Sequence, residues 1–420
     1  MGHKTWDVWV EDFEIAKDFL YDSRFASRRI FSLFGEMRYE RGIFLCPGDE
    51  AKSKRKFFLN ALRLLGVGKS LFSLGIQEET ESLLLHLEKF VNTNLNISAA
   101  MAYTTNNIIS KLLFNTSYSF DDKSYKIIHQ KLMRKFELLN PTLPIWVLPF
   151  LISKRMSQTK ELMRLRVEFL QFLQENFNTR RPKDDENREH ECFSDFIWEA
   201  LLKESGKLDA FPEEDIPFML ADLFMAGLET TMTTLAWAML NMIHRPDFQE
   251  KVYEELRREF PEREEIIPVS GVQSCHFTMA TINEVQRFTP TVFSTADHTS
   301  NVDVENFHGF KIPKGTRMFP NSVAINRDPK FWKFPTEFNP ENFLDPDGCF
   351  VKSQYLMPFG VGLRACPGEA VAKLEMHLVF ANVLRRFKIC PADALPPLIP
   401  KVSLVSNAPY YEVRLEKREK

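Results

Sequence analysis

The sequence predicts a mainly α-helical fold with a smaller β-rich part, and three observations carry that prediction. Residues 76–177 keep apolar side chains at helical spacing with few glycines. Residues 218–243 form one long run on the same period, closed by Pro246. Strand-like segments follow residue 298, and 394–415 show the alternating pattern of extended chain. No Gly/Ser-rich or Pro-rich linker, repeat or low-complexity tract divides the 420 residues, which are read as a single domain over 1–420.

In chain order, the first helical stretch is interrupted at 141–151 by Pro141, Pro144 and Pro149. That apolar segment is too short and too proline-broken to span a bilayer. Residues 179–190 are rich in Arg, Asp and Glu and lack large apolar side chains, which marks a solvated loop; helical pattern resumes at Phe193. The run 218–243 would extend roughly 40 Å as a helix. Asp222, Glu229 and the hydroxyls of Thr230, Thr231, Thr233 and Thr234 argue against its crossing a membrane, because each would need a partner in lipid. Within 277–288, Glu284 and Arg287 stand three apart, share a helix face and can pair. Residues 369–387 again show helical spacing.

Composition removes several classes of function. The 54 Lys and Arg and 57 Asp and Glu give a formal net charge of −3, so no basic excess points to nucleic acid. The six cysteines, at 46, 192, 275, 349, 366 and 390, are scattered without a CxxC pair. That suits a reducing compartment and argues against a disulfide scaffold or a zinc site. The opening 1–13 carries Lys4, Asp7, Glu11 and Asp12 and so reads neither as a signal peptide nor as a membrane anchor.

The chemistry concentrates in 359–368, Phe-Gly-Val-Gly-Leu-Arg-Ala-Cys-Pro-Gly. A cysteine thiolate can hold heme iron and push electron density onto it; Cys366 would be that ligand. Gly362 permits a tight loop and Gly368 lets backbone approach a porphyrin, since neither carries a Cβ. The helix that follows would point its positive end at the sulfur and favour the ionised form. Arg364 is placed for a heme propionate.

This loop resembles the heme-binding signature of cytochromes P450, Phe-x-x-Gly-x-Arg-x-Cys-x-Gly. Every fixed position is filled, by Phe359, Gly362, Arg364, Cys366 and Gly368. Two more motifs follow the family's order. Ala226-Gly227-Leu228-Glu229-Thr230-Thr231 resembles its oxygen-activation motif, and Glu284 with Arg287 matches its Glu-x-x-Arg. The resemblance runs from Trp6 to Arg418 and is closest to the animal microsomal P450s that oxidise drugs and steroids.

The resemblance implies the cytochrome P450 fold, a helical heme-binding core with a small β-rich lobe. The implied cofactor is heme b, its iron held by Cys366. The implied reaction inserts one oxygen atom from O2 into a small lipophilic substrate, whether xenobiotic, steroid or fatty-acid-like. Electrons would come from NADPH through NADPH-cytochrome P450 reductase, with cytochrome b5 as a second candidate donor. The implied location is the cytosolic face of the endoplasmic reticulum membrane, with peripheral membrane contact.

Residue by residue, Arg55 and His298 would join Arg364 on the propionates, and Thr230 would donate a hydrogen bond to bound dioxygen. Glu229 would relay protons inward as a general acid. Gly227 would leave room over the heme, and the Glu284–Arg287 pair would brace the cysteine loop from behind. Phe224, Ala226, Gly227, Leu228 and Phe293 would line the substrate pocket, together with other residues of 292–296. Two positions depart from the pattern: Ala51 replaces the tryptophan that precedes Arg55, and Asn342 replaces the arginine that joins the Glu/Arg pair. Lys52, Lys54 and Lys56 read either as a solvated helix face or as a docking patch for an acidic electron-transfer partner. The segment 141–151 reads either as core or as a membrane contact.

Residues 6–10 look like the family's second strand and 13–21 like the helix after it, so the chain reads as lacking the anchor and first strand, with an unpaired strand edge as the consequence. Residues 394–415 would form a closing hairpin with its tip over the substrate. Two other readings stand beside monooxygenation. One is a P450-type isomerase or dehydratase needing no O2, although such enzymes commonly lose the acid and alcohol kept here as Glu229 and Thr230. The other is a truncated inactive isoform.

Overall fold

The computed structural model describes residues 6–28, 39–66, 71–139, 157–182, 189–203, 211–262, 265–294, 297–402 and 405–418. The chain begins with β1 (Asp7–Val10) and α1 (Phe13–Tyr21), followed by α2 (Gly48–Leu64), α3 (Leu71–Glu88) and β2 (Asn94–Leu95). Next come α4 (Ile97–Phe114), α5 (Lys123–Leu138), α6 (Ser157–Thr179) and α7 (Phe193–Lys203). The long helix is α8 (Ile216–His244), succeeded by α9 (Pro246–Glu259), α10 (Val269–Gln273) and α11 (His276–Phe288). A short-stranded region holds β3 (His298–Thr299), β4 (Val304–Phe307), β5 (Phe310–Ile312), β6 (Arg317–Pro320) and α12 (Ser322–Ile325). The chain closes with α13 (Glu369–Arg386), β7 (Phe387–Pro391), β8 (Lys401–Val402), β9 (Ser406–Asn407) and β10 (Val413–Lys417).

Local chemistry sets these boundaries. Asp12 caps α1 by accepting from the Ile15 N–H at 3.0 Å, and Asn96 caps α4 by accepting from Ala99. Asn115 ends α4 in the left-handed region at φ 52°. Pro246 stops α8 and opens α9, with Arg245 at φ −135° between them.

Two apolar cores meet along α8. Its first part, from Ile216 to Leu228, packs with α2, α4, α5, α6 and α7. Its last part, from Leu235 to Ile243, packs with α3, α9, α11, α13 and the β7–β10 sheet. A third cluster joins β1 and α1 to the β4–β6 lobe through Phe13, Phe19, Phe25 and Phe307. In that lobe β1 runs parallel to β6 and β3 antiparallel, in the order β1-β6-β3, so β1 has one neighbour among the described residues.

Two sequence expectations are corrected here. Residues 394–415 do not form one closing hairpin. Lys401↔Asn407 and Val402↔Ser406 make a small ladder, whereas β10 pairs with β7 and β2. Alternation reports that a segment is extended and half-buried, not which strand it joins. Residues 403–404, between β8 and β9, and the whole of 141–151 lie outside the described residues. The second correction concerns Lys54, which is neither solvated nor available for docking. It is 0% exposed, with Nζ at 2.8 Å from Asp215 Oδ2 and 2.9 Å from the Arg41 carbonyl. Arg41 Nε reaches the other oxygen of Asp215 at 2.6 Å, so the start of α8 is tied to α2 through buried charges that satisfy one another. Lys52 and Lys56 are exposed.

Candidate active site

A cavity of about 300 Å³ lies where the two cores meet, bounded by α8, by α13 with the loop before it, and by arginines from the first sixty residues. The loop is closed by the Cys366 N–H donating to the Phe359 carbonyl at 2.8 Å. Gly362 has φ +76°, and a Cβ there would stand 2.2 Å from the backbone oxygen of Leu20. Only glycine lets the loop turn this way against the end of α1. Cys366 lines the cavity, where its thiol is accessible. Burial pushes that thiol up, while the Gly368 N–H at the start of α13 and the Arg55 charge pull it toward the thiolate.

Three guanidinium groups, from Arg28, Arg55 and Arg364, stand on the same wall. Arg55 Nη2 donates to the Ala365 carbonyl at 2.5 Å, which ties α2 to the loop, and Arg364 Nη2 donates from the loop to the Cys46 carbonyl at 2.7 Å. Nε of Arg28 and Nε of Arg364 are buried without a partner. Burial and then repulsion between the arginines push Arg28 down to about 9 and Arg364 to about 10. Crowded cations with spare donors beside a thiol suit a metal-bearing group that carries carboxylates. Heme, with two propionates and an iron that takes a thiolate, fits that donor set.

His298 does not line the cavity. It is 3% exposed, and its Nδ1 lies 3.2 Å from the Phe25 carbonyl. That contact needs the proton on Nδ1, which leaves Nε2 of the neutral ring an acceptor. Burial and then the charges of Arg28 and Arg364 push the ring down to about 3. The third cation on the wall is therefore Arg28, which sequence reasoning missed because nothing in 27–47 distinguishes one arginine from its neighbours.

Across the cavity, α8 presents Leu223, Ala226, Gly227, Thr230, Thr231 and Thr234, one helical stripe. Phe224 and Leu228, expected to line the pocket, are 0% exposed and belong to the core beyond; Phe224 meets Phe169 edge-on at 5.5 Å. One residue along a helix is about a 100° turn, which suffices to send them away. Phe293 is half-buried and off the wall, whereas its neighbours Thr291 and Val292 are on it; 295–296 lie outside the described residues. Gly227 is on the wall, but its nearest constraint is the crossing of α8 with α4, where a Cβ would come within 2.8 Å of Ile109 Cδ1. Glu229 is buried and off the wall. Thr230 Oγ1 donates to the Ala226 carbonyl at 2.7 Å, so its lone pairs remain for the cavity, and rotation about χ1 would turn its proton there.

Asp222, singled out in the sequence only as an obstacle to membrane insertion, holds the cavity's rim. Its Oδ2 accepts from the N–H groups of Ile43 and Phe44 at 2.7 and 2.8 Å, and both residues line the cavity. Burial pushes this carboxyl up; the two N–H groups, Arg166 and Lys135 oppose it. A Cβ at residue 42 would come within 2.1 Å of Asp222 Oδ2, so a side chain there would displace the carboxylate from the rim amides. Hydrogen bonds to a charged group contribute about 1.5–3 kcal/mol each. In Asp222→Ala, amide hydrogen exchange at Ile43 and Phe44 is expected to accelerate about tenfold or more; unchanged exchange would show that the rim is held by other means.

Glu284 and Arg287 are both fully buried and form a two-bond pair, Nε–Oε2 at 2.7 Å and Nη2–Oε1 at 2.6 Å. Arg287 also donates to the carbonyls of Asn326, Phe334, Pro335 and Glu337. Asn342 occupies the expected arginine's place: its amide reaches both oxygens of Glu284 at 3.3–3.4 Å, and its Oδ1 accepts from the Phe334 N–H. Among the described residues, the side-chain hydrogen-bond partners beyond the pair all lie within 326–342. The pair therefore braces the segment leading to the cysteine loop, and not the loop itself.

The family model described as Cytochrome P450 matches residues 1–415. Cytochrome P450 2D26 of Rattus norvegicus is 31% identical over 382 residues, covering 87% of this chain and 74% of the relative. Cytochrome P450 2U1 of Homo sapiens is 30% identical over 403 residues, covering 93% and 73%. A solved zebrafish cytochrome P450 with progesterone superposes with TM-score 0.86 over 99% of this chain and 95% of that one, at 24% identity. That last likeness is one of fold.

Proposed function

The chain belongs to the cytochrome P450 family, heme-thiolate monooxygenases with the iron held by cysteine, and from that premise we propose that it inserts one oxygen atom of O2 into a small lipophilic substrate at the cavity between α8 and Cys366. The observation that carries this reading is one cavity that brings together a thiol, three guanidinium groups and, from α8, a stripe of Leu223, Ala226 and Gly227 interrupted by threonines, with Asp222 turned to the backbone of the rim. Cys366 would ligate the iron. Arg28, Arg55 and Arg364 would take the propionates, and Phe359 and Gly368 would frame the ring edge. When bound, heme supplies the activation of dioxygen.

The chain's own residues do the rest. Ile43, Phe44, Ile109, Leu223 and Ala226 exclude water and hold an apolar substrate by burial. Thr230 offers a hydroxyl that can leave the Ala226 carbonyl and donate into the cavity. Electrons would come from NADPH through a flavoprotein reductase, with exposed Lys52 and Lys56 on the α2 surface available to an acidic partner. Among the described residues no helix is long and apolar enough to cross a membrane; association with the endoplasmic reticulum, on its cytosolic face, is proposed from the relatives.

The test is turnover with NADPH, reductase and isotopically labelled dioxygen across a panel of lipophiles. One labelled oxygen atom in the product is expected. Product formed without dioxygen would favour the isomerase reading. Thr230→Ala is expected to keep the heme and NADPH oxidation while product per NADPH falls severalfold; equal coupling would remove Thr230 from its role.

A further inference from the structure

We propose that a second cavity, walled by α1, α11, the segment 352–361 and the start of α13, binds a small organic anion, an aromatic or alicyclic body bearing a carboxylate or sulfonate. Its volume is about 260 Å³, close to that of the first. Gln286 and residues 357–360 line both, so the segment running into the cysteine loop is the partition between them. Cys366, the three arginines and α8 take no part in the second cavity, which leaves it outside the site already described.

Two kinds of lining meet there. Phe13, Leu356, Met357 and Phe359 supply apolar surface, and Phe13 is packed in place by edge contacts with Phe331 and Tyr355 at 5.8 and 4.9 Å. Lys17, Lys352 and Lys373 supply charge. Lys373 pairs with Glu369, which also lines the cavity. Lys17 and Lys352 enter no ion pair among the described residues, and the Lys17 ammonium stands over the Phe13 ring at 5.8 Å. Three lysines against one glutamate give the lining a formal charge of +2, in a chain whose net charge is −3. The cations are gathered here against the balance of the whole molecule. Ser353 Oγ accepts from the Tyr355 N–H at 3.2 Å, which leaves its own O–H as a donor.

The pairing of these linings selects the ligand. An inorganic anion would find the ammonium groups but leave the apolar surface wet. A neutral lipophile would cover that surface while desolvating cations it cannot pair. An organic anion does both, because its ring buries against Phe13, Leu356 and Phe359 while its acid group takes charge-assisted hydrogen bonds from Lys17 and Lys352. Glu369 repels the acid group from the α13 side and so sets its direction toward α1 and Lys352. The inference rests on the lining of this cavity and not on the monooxygenase reading.

The test is equilibrium dialysis of the heme-loaded protein, with an azole on the iron to close the first cavity, against 8-anilinonaphthalene-1-sulfonate. Its uncharged parent, N-phenyl-1-naphthylamine, is measured in parallel. One equivalent of the sulfonate is expected to bind with the azole in place, and the neutral amine to bind severalfold more weakly. In Lys17→Gln/Lys352→Gln the sulfonate affinity should fall about fivefold or more, while the amine affinity stays. Lys52→Gln/Lys56→Gln, which removes two exposed lysines of α2, should bind the sulfonate like wild type. No sulfonate bound beside the azole, equal affinity for the two probes, or an affinity indifferent to Lys17 and Lys352 overturns the proposal. If the double variant does not load heme, the single change at exposed Lys352, Lys352→Gln, decides by the same comparison.

Discussion

Cys366→Ala is expected to abolish monooxygenation altogether while leaving the chain folded. The contact that closes the loop uses the backbone N–H of residue 366, donated to the Phe359 carbonyl, and that bond survives the loss of the thiol. Arg55 and Arg364 anchor on the carbonyls of Ala365 and Cys46, so the cationic wall should still gather the propionates. What disappears is the one cysteine that lines the cavity among the described residues. The reduced, carbon-monoxide-bound Soret band should lose its red-shifted thiolate position, and product should fall below detection at unchanged melting temperature. A retained red-shifted band would mean that another group holds the iron.

Arg287→Met is expected to have the largest effect on stability. It would leave the Glu284 carboxylate buried without its partner and strip donors from four backbone carbonyls between 326 and 337. Breaking a buried pair in this way costs about 3–5 kcal/mol, against a total stability on the order of 5–15 kcal/mol. Little folded, heme-loaded protein should be recovered, and what is recovered should unfold at much lower urea concentration. A variant that melts with the wild type would show that the network is redundant.

Helix positions were legible in the sequence where the family resemblance placed an element on a stretch without helix breakers. The expected 13–21 and 277–288 coincide with α1 and α11 to within one residue. The heme loop was legible because its chemistry is local. Orientation was not. Helix α8 is apolar on nearly every side, so hydrophobic periodicity cannot say which stripe meets the cavity, and Phe224 and Leu228 were placed there instead of Leu223. Partners distant in sequence were equally hidden: Lys54 reads as a surface lysine until Asp215 is beside it.

The division of α8 between two cores bears on how this scaffold diversifies. Its two ends are fixed independently, by buried charge at Asp215 and by apolar packing from Leu235 onward, while the stripe facing the cavity takes part in little of either. Changes of side-chain size at Ala226, or at Val292 elsewhere on the cavity lining, would then reshape the pocket without disturbing what holds the helix in place, since neither belongs to the apolar cores. Descendants of one ancestral chain could drift from one lipophile to another at these positions, with folding and heme capture inherited intact.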